Sequence, residues 1–152
     1  MSTVLITGCS TGIGLHTGLT FGRAGHKVTA TMRGTAKASA LAKVADGEHL
    51  AIAAHRMDVD DERSVRDAIG RIEQKMGPID VLVNNAGIER MGSVEELPLA
   101  EFRCVMETNY FGAIRRIQAV LPAMRATGGE IADLSQEWKP DFRLPPAAQP
   151  PR

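Results

Sequence analysis

The sequence predicts an α/β protein with three layers, in which helices cover both faces of a doubly wound parallel sheet. Short apolar runs of strand character alternate with longer segments whose apolar residues recur at helical spacing. A glycine-rich turn joins the first run to the first helical segment, as in open parallel sheets that bind ligands. Because crossovers between parallel strands are right-handed, we expect about five strands in the order 3-2-1-4-5.

The first half of the chain supplies three strands and two helices. Val4–Ile6 is a short apolar run that ends at Thr7–Gly8, which indicates a buried strand. Apolar spacing predicts a helix over Ile13–Arg23, and Gly25 provides its stop signal. The next segments have β-branched, alanine-rich and mixed apolar character, and they predict a strand, a helix and a strand: Lys27–Met32, Ala36–Val44 and Leu50–Met57.

The second half continues the same alternation. A helix follows the third strand, with apolar residues at helical spacing up to Met76, and we expect the acidic run Asp60–Glu62 in its first turn. Gly77–Pro78 breaks that helix. The remaining segments predict a fourth strand, one long helix and a fifth strand: Ile79–Val83, Leu99–Met124 and Glu130–Ser135. We expect the sheet to be incomplete at its C-terminal side, with the fifth strand as an open edge.

Composition narrows the class of protein. A length of 152 residues suits one domain, and a hydrophobic fraction of 43% is enough for a packed core. The 18 basic and 18 acidic residues balance, which argues against nucleic acid or an anionic membrane as partner. Neither a signal peptide nor an apolar stretch of about 20 residues is visible, so we expect a cytoplasmic protein without a membrane span. The two cysteines and four histidines lack ligand spacing, so we expect no metal site.

A glycine-rich loop is the strongest candidate for a binding site. It follows the first strand and opens the first helix, and it reads Thr7-Gly8-Cys9-Ser10-Thr11-Gly12-Ile13-Gly14. Glycine permits backbone angles that a Cβ forbids, and it lets a pyrophosphate approach the main chain. The phosphates would then meet free N–H groups at a helix N-terminus. An ordinary tight turn between strand and helix is the alternative.

Residues after the second strand bear on the choice of nucleotide. A site for NAD places an acidic residue about 20 residues beyond the glycines, where it bonds the ribose hydroxyls. No acidic residue occurs between Gly14 and Asp46, and Arg33 follows the second strand instead. A guanidinium there can bind the additional phosphate of NADP. The sequence therefore favours NADP(H) over NAD(H), with a solvated surface arginine as the alternative.

A second polar segment, Asn84-Asn85-Ala86-Gly87, follows the fourth strand. Open α/β sheets bind ligands beyond the carboxyl ends of their strands, so this segment is placed to line the same site. A simple turn is the alternative, because Asn and Gly both tolerate turn angles.

Together these motifs resemble the short-chain dehydrogenase/reductase family, with its Rossmann-type fold. The family carries a Thr-Gly-x-x-x-Gly-x-Gly loop, an Asp after the third strand, an Asn-Asn-Ala-Gly segment and an Asn on the long helix. Here Asp58 follows the third strand and Asn109 lies on the long helix, as the family pattern requires. The resemblance spans residues 3 to 135. It implies hydride transfer between a nicotinamide dinucleotide and a carbonyl or alcohol substrate. The segments Leu5–Gly14 and Thr29–Arg33 look like the branch containing hydroxysteroid and retinol dehydrogenases.

The resemblance also implies which residues hold the dinucleotide. In the family the Asp after the third strand contacts the adenine, and the Asn-Asn-Ala-Gly segment stabilises the central strand and lines the site. The cofactor-binding residues expected here are Gly8, Ser10, Thr11, Gly12, Ile13, Gly14, Arg33, Asp58, Val59, Asn85, Ala86 and Gly87.

Asn109 falls within the long predicted helix, where asparagine is unfavourable, so another interaction must compensate for it. In the family the backbone at this position holds a water that relays protons to a catalytic Lys. Asn109 is therefore the one candidate catalytic-site residue, with an exposed Asn on a solvated helix face as the alternative.

The family's catalytic Tyr-x-x-x-Lys pair is absent from this sequence. The single tyrosine, Tyr110, is followed four residues later by Ile114. The family's Ser aligns with Gln136, and Ser135 is one residue early. Gln136–Arg152 contains five of the eight prolines, so we expect a dinucleotide-binding domain over 1–135 and a disordered tail over 136–152. The pattern suggests a truncated or frameshifted product, with a genuine terminus as the alternative.

These observations leave three functional hypotheses. The chain is an NADP(H)-dependent oxidoreductase by lineage that is inactive as it stands, a non-catalytic NADP(H)-binding module, or a non-functional fragment. Its expected partners are the dinucleotide and, in a full-length relative, a small carbonyl or alcohol substrate. We also expect self-association through the helix at 99–124, whose apolar stripe would otherwise be exposed.

Overall fold

A computed structural model describes residues 1–134 and confirms the doubly wound parallel sheet. Its five strands are hydrogen-bonded in the order 3-2-1-4-5, and every pair is parallel. The strands are β1 (Thr3–Thr7), β2 (Lys27–Met32), β3 (Ile52–Arg56), β4 (Val81–Asn84) and β5 (Glu130–Asp133). The helices are α1 (Gly12–Arg23), α2 (Ser39–Gly47), α3 (Glu62–Met76), α4 (Leu99–Met106) and α5 (Gly112–Thr127).

The central strands carry apolar side chains on both faces, as expected for a parallel sheet between two helical layers. On β1, Val4 and Ile6 join one core cluster and Leu5 joins the other. The first cluster packs with Leu19 of α1 and Leu41 of α2. The second packs with buried residues of α3 and α5, namely Val65, Ala68, Ile69, Ile72, Val120 and Met124. Both clusters exclude water from the centre of the sheet, so the polar strand ends lie at its edge.

Helix α3 begins later than the acidic run suggested. Asp61 is its N-cap, and the Asp61 carboxylate accepts hydrogen bonds from the N–H groups of Arg63 at 2.9 Å and Ser64 at 3.2 Å. The helix begins at Glu62, so the expectation that Asp60 occupies the first turn is wrong. The Asp61 side chain satisfies two of the free N–H groups at the helix start, so the first helical residue is Glu62, two residues beyond Asp60.

The long helix predicted over 99–124 is present as a continuous run from Leu99 to Thr127, with one irregularity. Residues Glu107–Phe111 form a π-helical turn between α4 and α5. Such turns insert one extra residue and occur frequently at functional sites. The turn contains Asn109, and it lies opposite the loop that follows β4.

Both outer strands present an unpaired edge within residues 1–134. Strand β5 pairs with β4 alone, which agrees with the expected open edge, and β3 pairs with β2 alone. Ser135 and the proline-rich segment 136–152 lie outside the described residues. No helix in the described part of the chain has the length and apolar character needed to cross a membrane.

Candidate functional site

The turn between β1 and α1 depends on glycine at two points. Gly8 adopts a φ of +72°, a backbone conformation that favours glycine. Gly14 packs so closely that an added Cβ would lie 2.5 Å from the carbonyl oxygen of Gly8. A side chain at Gly14 would push the start of α1 away from the loop, and a side chain at Gly8 would collide with Asn85 and Ala86. The loop therefore keeps the helix N-terminus directly above the carboxyl ends of the strands.

The N-terminus of α1 has no side-chain cap. Thr11 is the N-cap residue in an extended conformation, yet its side chain accepts no hydrogen bond from the helix, and the first turn has no acidic residue. The free N–H groups at a helix start carry a partial positive charge. This end of α1 therefore suits an anionic group, in particular a phosphate.

Thr7 and Asn85 tie the glycine loop to the segment after β4. The Thr7 hydroxyl oxygen accepts from the N–H groups of Asn85 at 3.1 Å and Ala86 at 2.9 Å. The Asn85 side-chain amide donates to the carbonyl oxygens of Thr7 at 2.7 Å and Gly8 at 3.3 Å. These four bonds fix the two predicted binding segments against each other, as the strand-end argument required.

A cleft of about 330 Å³ opens between these segments. Its volume lies at the lower end of the range for small-molecule sites, about 300–1,000 Å³. Residues from the glycine loop, the ends of β2 and β3, the loop after β4 and the π-helical turn line it: Gly8, Ser10, Thr11, Ile13, Gly14, Met32, Arg33, Met57, Val59, Asp60, Asn85, Ala86, Gly87, Ile88 and Thr108.

Most of the residues expected to bind a cofactor meet in this cleft. Ten of them line it: Gly8, Ser10, Thr11, Ile13, Gly14, Arg33, Val59, Asn85, Ala86 and Gly87. Gly12 lies instead beside a shallow depression on the outer side of α1, next to His16 and Phe21. Asp58 is not among the lining residues, and its carboxylate accepts from the N–H of Asp60 at 3.2 Å while its own N–H donates to the Ser64 hydroxyl at 2.9 Å.

Asn109 has the compensation that its position in a helix required. Its Oδ1 accepts from the Ile88 N–H at 2.8 Å, and its Nδ2 donates to the Ile88 carbonyl oxygen at 2.9 Å. The same side chain packs on Gly87, where an added Cβ would lie 3.2 Å from Asn109 Oδ1. Asn109 does not line the cleft but holds the loop that does.

Five lining residues were not predicted: Met32, Met57, Asp60, Ile88 and Thr108. Asp60 and Thr108 are joined, since the Thr108 hydroxyl donates to Asp60 Oδ2 at 3.1 Å. The sequence offered only one indication of these five residues, which is their position. Each lies close in sequence to a predicted strand end or to Asn109. The polar pair places one carboxylate in the cleft wall.

Arg116 is buried beneath the site at 1% exposure. Its Nε donates to Asn84 Oδ1 at 2.7 Å. Burial lowers the pKa of the Arg116 guanidinium to about 10, while the carboxylates of Asp133 and Asp60 act in the opposite direction. The group is therefore a cation at neutral pH, held inside the protein between the sheet and α5.

In the described chain, Cys9 is buried, and the residue four positions after Tyr110 is Ile114 rather than a lysine. Burial raises the pKa of the Cys9 thiol to about 12, and its Sγ contacts the Ile6 carbonyl oxygen at 3.3 Å. Tyr110 lies on the outer side of the π-helical turn, edge-on to Phe111. Among residues 1–134, no three His, Cys, Asp or Glu side chains cluster as metal ligands would.

The family model for short chain dehydrogenases matches residues 2–136. Retinol dehydrogenase 8 is 42% identical over 129 residues in Bos taurus and 41% identical over 140 residues in Homo sapiens. These matches cover 81% and 88% of this chain but 40% and 43% of the relatives, so the chain spans less than half of their length.

Solved structures share the same architecture. Gluconate 5-dehydrogenase from Burkholderia cenocepacia, in complex with NADP and tartrate, is 34% identical with a TM-score of 0.80. Actinorhodin polyketide ketoreductase with NADPH is 30% identical with a TM-score of 0.82. Each superposes on 87% of this chain and on 52% of its own.

Proposed function

The chain belongs to the short-chain dehydrogenase family, and from this premise we propose that its glycine-loop cleft binds a nicotinamide dinucleotide, NADP(H) in preference to NAD(H). The observation that carries the proposal is the uncapped N-terminus of α1 facing a cleft that ten of the expected residues line. The complexes of the two solved relatives with NADP and NADPH support the same assignment.

The residues present fit a dinucleotide. Main-chain N–H groups at Thr11–Gly14 would hold the pyrophosphate, and the close contact of Gly14 with Gly8 keeps the helix start beside the loop. The hydroxyls of Ser10 and Thr11 would add donors to the phosphates. Met57 and Val59 would present an apolar wall to the adenine. The cleft thus offers both hydrogen-bond donors for phosphates and apolar surface for the adenine.

Charge at the end of β2 supports the preference for NADP(H). Arg33 lines the cleft and is exposed, and the sequence has no acidic residue between Gly14 and Asp46 to bond ribose hydroxyls. Register places Arg56 of β3 beside Met32, so a second guanidinium stands on the neighbouring strand end. Two cations at this edge favour a ribose that carries a phosphate.

When bound, the nicotinamide supplies hydride exchange with a carbonyl or alcohol, which is the chemistry we propose for the lineage. The residues described here bind and orient the dinucleotide, and Asn109 braces the loop over it. This sequence contains no Tyr-x-x-x-Lys pair to exchange the substrate proton, since the residue four positions after Tyr110 is Ile114. We therefore propose that this chain alone binds the dinucleotide without turnover.

That same absence favours a second candidate function, a non-catalytic NADP(H)-binding module. Both candidates predict that the purified chain binds NADPH without consuming it when an aldehyde or ketone is supplied. Consumption above that of heat-denatured chain would contradict both and would show that the chain supplies a proton donor of its own. A chain that neither binds nor folds cooperatively would be a non-functional fragment.

Calorimetric titration with NADPH and NADH tests the assignment of Arg33. We expect the unaltered chain to bind NADPH more tightly than NADH, and Arg33→Ala to lose about tenfold for NADPH alone. Arg63→Ala is the matched control, because Arg63 is an exposed arginine on α3 whose partner is Asp67. Equal affinities for the two nucleotides in the unaltered chain, or an equal loss in both variants, would exclude Arg33 as the phosphate ligand.

A further inference from the structure

Arg116 is the one charged residue in a row of helix positions that otherwise meets the sheet with small or apolar side chains. Gly112, Val120 and Met124 continue the row at four-residue spacing, and all three are buried. A fully buried arginine needs partners, because a charge is costly to remove from water. Its partners therefore identify the elements that it connects.

On one side Arg116 holds the paired ends of β4 and β5. Its bond to Asn84 fixes the last residue of β4, which stands opposite Asp133 in the parallel register. The carbonyl oxygen of Asn84 accepts from the Leu134 N–H at 2.9 Å. The position of β5 at this edge is thus set by a residue whose side chain Arg116 holds.

On the other side Arg116 is linked to the cleft. Asn84 precedes Asn85, which braces the glycine loop through its bonds to Thr7 and Gly8. The carboxylate of Asp60 lies in the cleft wall, and it opposes the effect of burial on the pKa of Arg116. The Asp133 carboxylate acts in the same direction from β5.

We propose that Arg116 is a positioning residue that couples the dinucleotide cleft to the end of strand β5. This inference rests on the proposed function, since the ligand that occupies the cleft is the dinucleotide. A nucleotide in the cleft lies against Asn85, which directly follows Asn84, and so restrains the end of β4. Arg116 is bonded to that end through Asn84, whose carbonyl oxygen accepts from the Leu134 N–H, so the restraint reaches the end of β5.

Arg116, Asn84 and Asp60 each carry a buried polar atom that leaves their hydrogen-bond network partly unsatisfied, so the network can rearrange. Within residues 1–134, Arg116 Nη1, Asn84 Nδ2 and Asp60 Oδ1 have no hydrogen-bond partner. A partly satisfied buried network gains stability when a small shift pairs its remaining donors and acceptors. Two unpaired donors and one unpaired acceptor thus lie on the residues that join the cleft to β5.

Hydrogen exchange at single amides of the whole chain measures this coupling directly. The Leu134 amide reports the end of β5 beside Asn84, and the Glu130 amide, bonded to the Asp80 carbonyl oxygen, reports the far end of the same strand. We expect saturating NADPH to slow exchange at Leu134 about fivefold or more, and to change Glu130 less.

Two variants and one control separate coupling from simple stability. Arg116→Met keeps most of the side-chain volume without the charge, and Asp133→Asn removes only the carboxylate of an exposed residue if the first variant does not fold. In either variant the NADPH-dependent slowing at Leu134 should fall below about twofold, and by linkage NADPH should bind more weakly by the same factor that is lost. Arg125→Met, at an exposed position of the same helix, should behave as the unaltered chain.

The outcomes distinguish this inference from the proposed function. If the unaltered chain does not bind NADPH at all, the dinucleotide assignment fails and the coupling fails with it. If NADPH binds but exchange at Leu134 does not change, or changes equally in Asp133→Asn and Arg125→Met, the assignment stands and the coupling is overturned.

Discussion

The side-chain amide of Asn109 makes a hydrogen bond with each main-chain polar group of Ile88, twenty-one positions earlier in the sequence. The Asn109 amide pairs with Ile88 as the main chain of a neighbouring strand would, and this joins the π-helical turn to the loop after β4. Because Ile88 lines the cleft, this pair connects a helix irregularity to the shape of the site.

Removing the Asn109 amide should loosen that loop. Asn109→Leu leaves the Ile88 N–H and C=O unpaired, which we expect to lower the free energy of unfolding by about 1–3 kcal/mol. Asn109→Asp keeps the acceptor and loses the donor, so its free energy of unfolding should lie between those of Asn109→Leu and the unaltered chain. Urea unfolding monitored by circular dichroism gives the values. Equal midpoints for Asn109→Leu and the unaltered chain would show that the two bonds contribute nothing.

The Thr7 hydroxyl should contribute to stability out of proportion to its size. Thr7→Val keeps the shape and leaves the N–H groups of Asn85 and Ala86 without their acceptor, at an expected cost of about 1–3 kcal/mol. Thr20→Val removes an exposed hydroxyl that bonds only the preceding turn at His16, and it should change stability by less than about 0.5 kcal/mol. Similar losses in both variants, measured by the same urea unfolding, would contradict the role given to Thr7.

The two cysteines should differ in reactivity. The raised pKa of the Cys9 thiol, about 12, keeps it protonated near neutrality, and the thiolate is the reactive form. Cys104 is exposed on α4. Mass spectrometry after iodoacetamide treatment should therefore find Cys104 modified in the folded chain and Cys9 modified only in denaturant. Rapid modification of Cys9 in a Cys104→Ser variant would show that the turn after β1 opens readily.

The long helix should mediate self-association with a second copy of the chain. Its outer side exposes a row of large apolar residues: Leu99, Phe102, Met106 and Phe111. Met106→Lys should weaken the dimer about tenfold or more by sedimentation velocity, because a charge opposes burial of the row. Met91→Lys, an exposed methionine outside the helix, is the control. A chain that is monomeric at tens of micromolar would contradict this prediction.

The order of elements could be predicted from sequence because the signals were local. Glycine and proline mark the ends of the helices, and apolar runs such as Val4–Ile6 carry the strands, so alternation and right-handed crossover fix the order of the sheet. Boundaries shifted where a side-chain cap decided them, as at Asp61, or where a 3₁₀ turn at Thr35–Ala38 preceded α2. The π-helical turn inserts a single residue within a long apolar pattern, and the helical spacing alone did not predict it.

The candidate site likewise contains residues that the sequence predicted and residues that it did not. Glycine spacing identified the loop, because backbone angles and close approach are requirements on single residues. Asp60 and Thr108 meet through a contact between segments far apart in sequence, and no local pattern encodes it. Arg116 could have been found from the sequence, because it places a charge on the buried row of the helix that runs through Gly112 and Val120.

The most direct test of the account is the thermal midpoint of the purified chain with and without NADPH. A ligand that binds only the folded state stabilises it by about 2.7 kcal/mol at a hundredfold excess over its dissociation constant. We predict a cooperative transition whose midpoint rises with NADPH concentration and rises less with NADH. A cooperative transition that neither nucleotide moves would contradict the assignment of the glycine-loop cleft as a dinucleotide site.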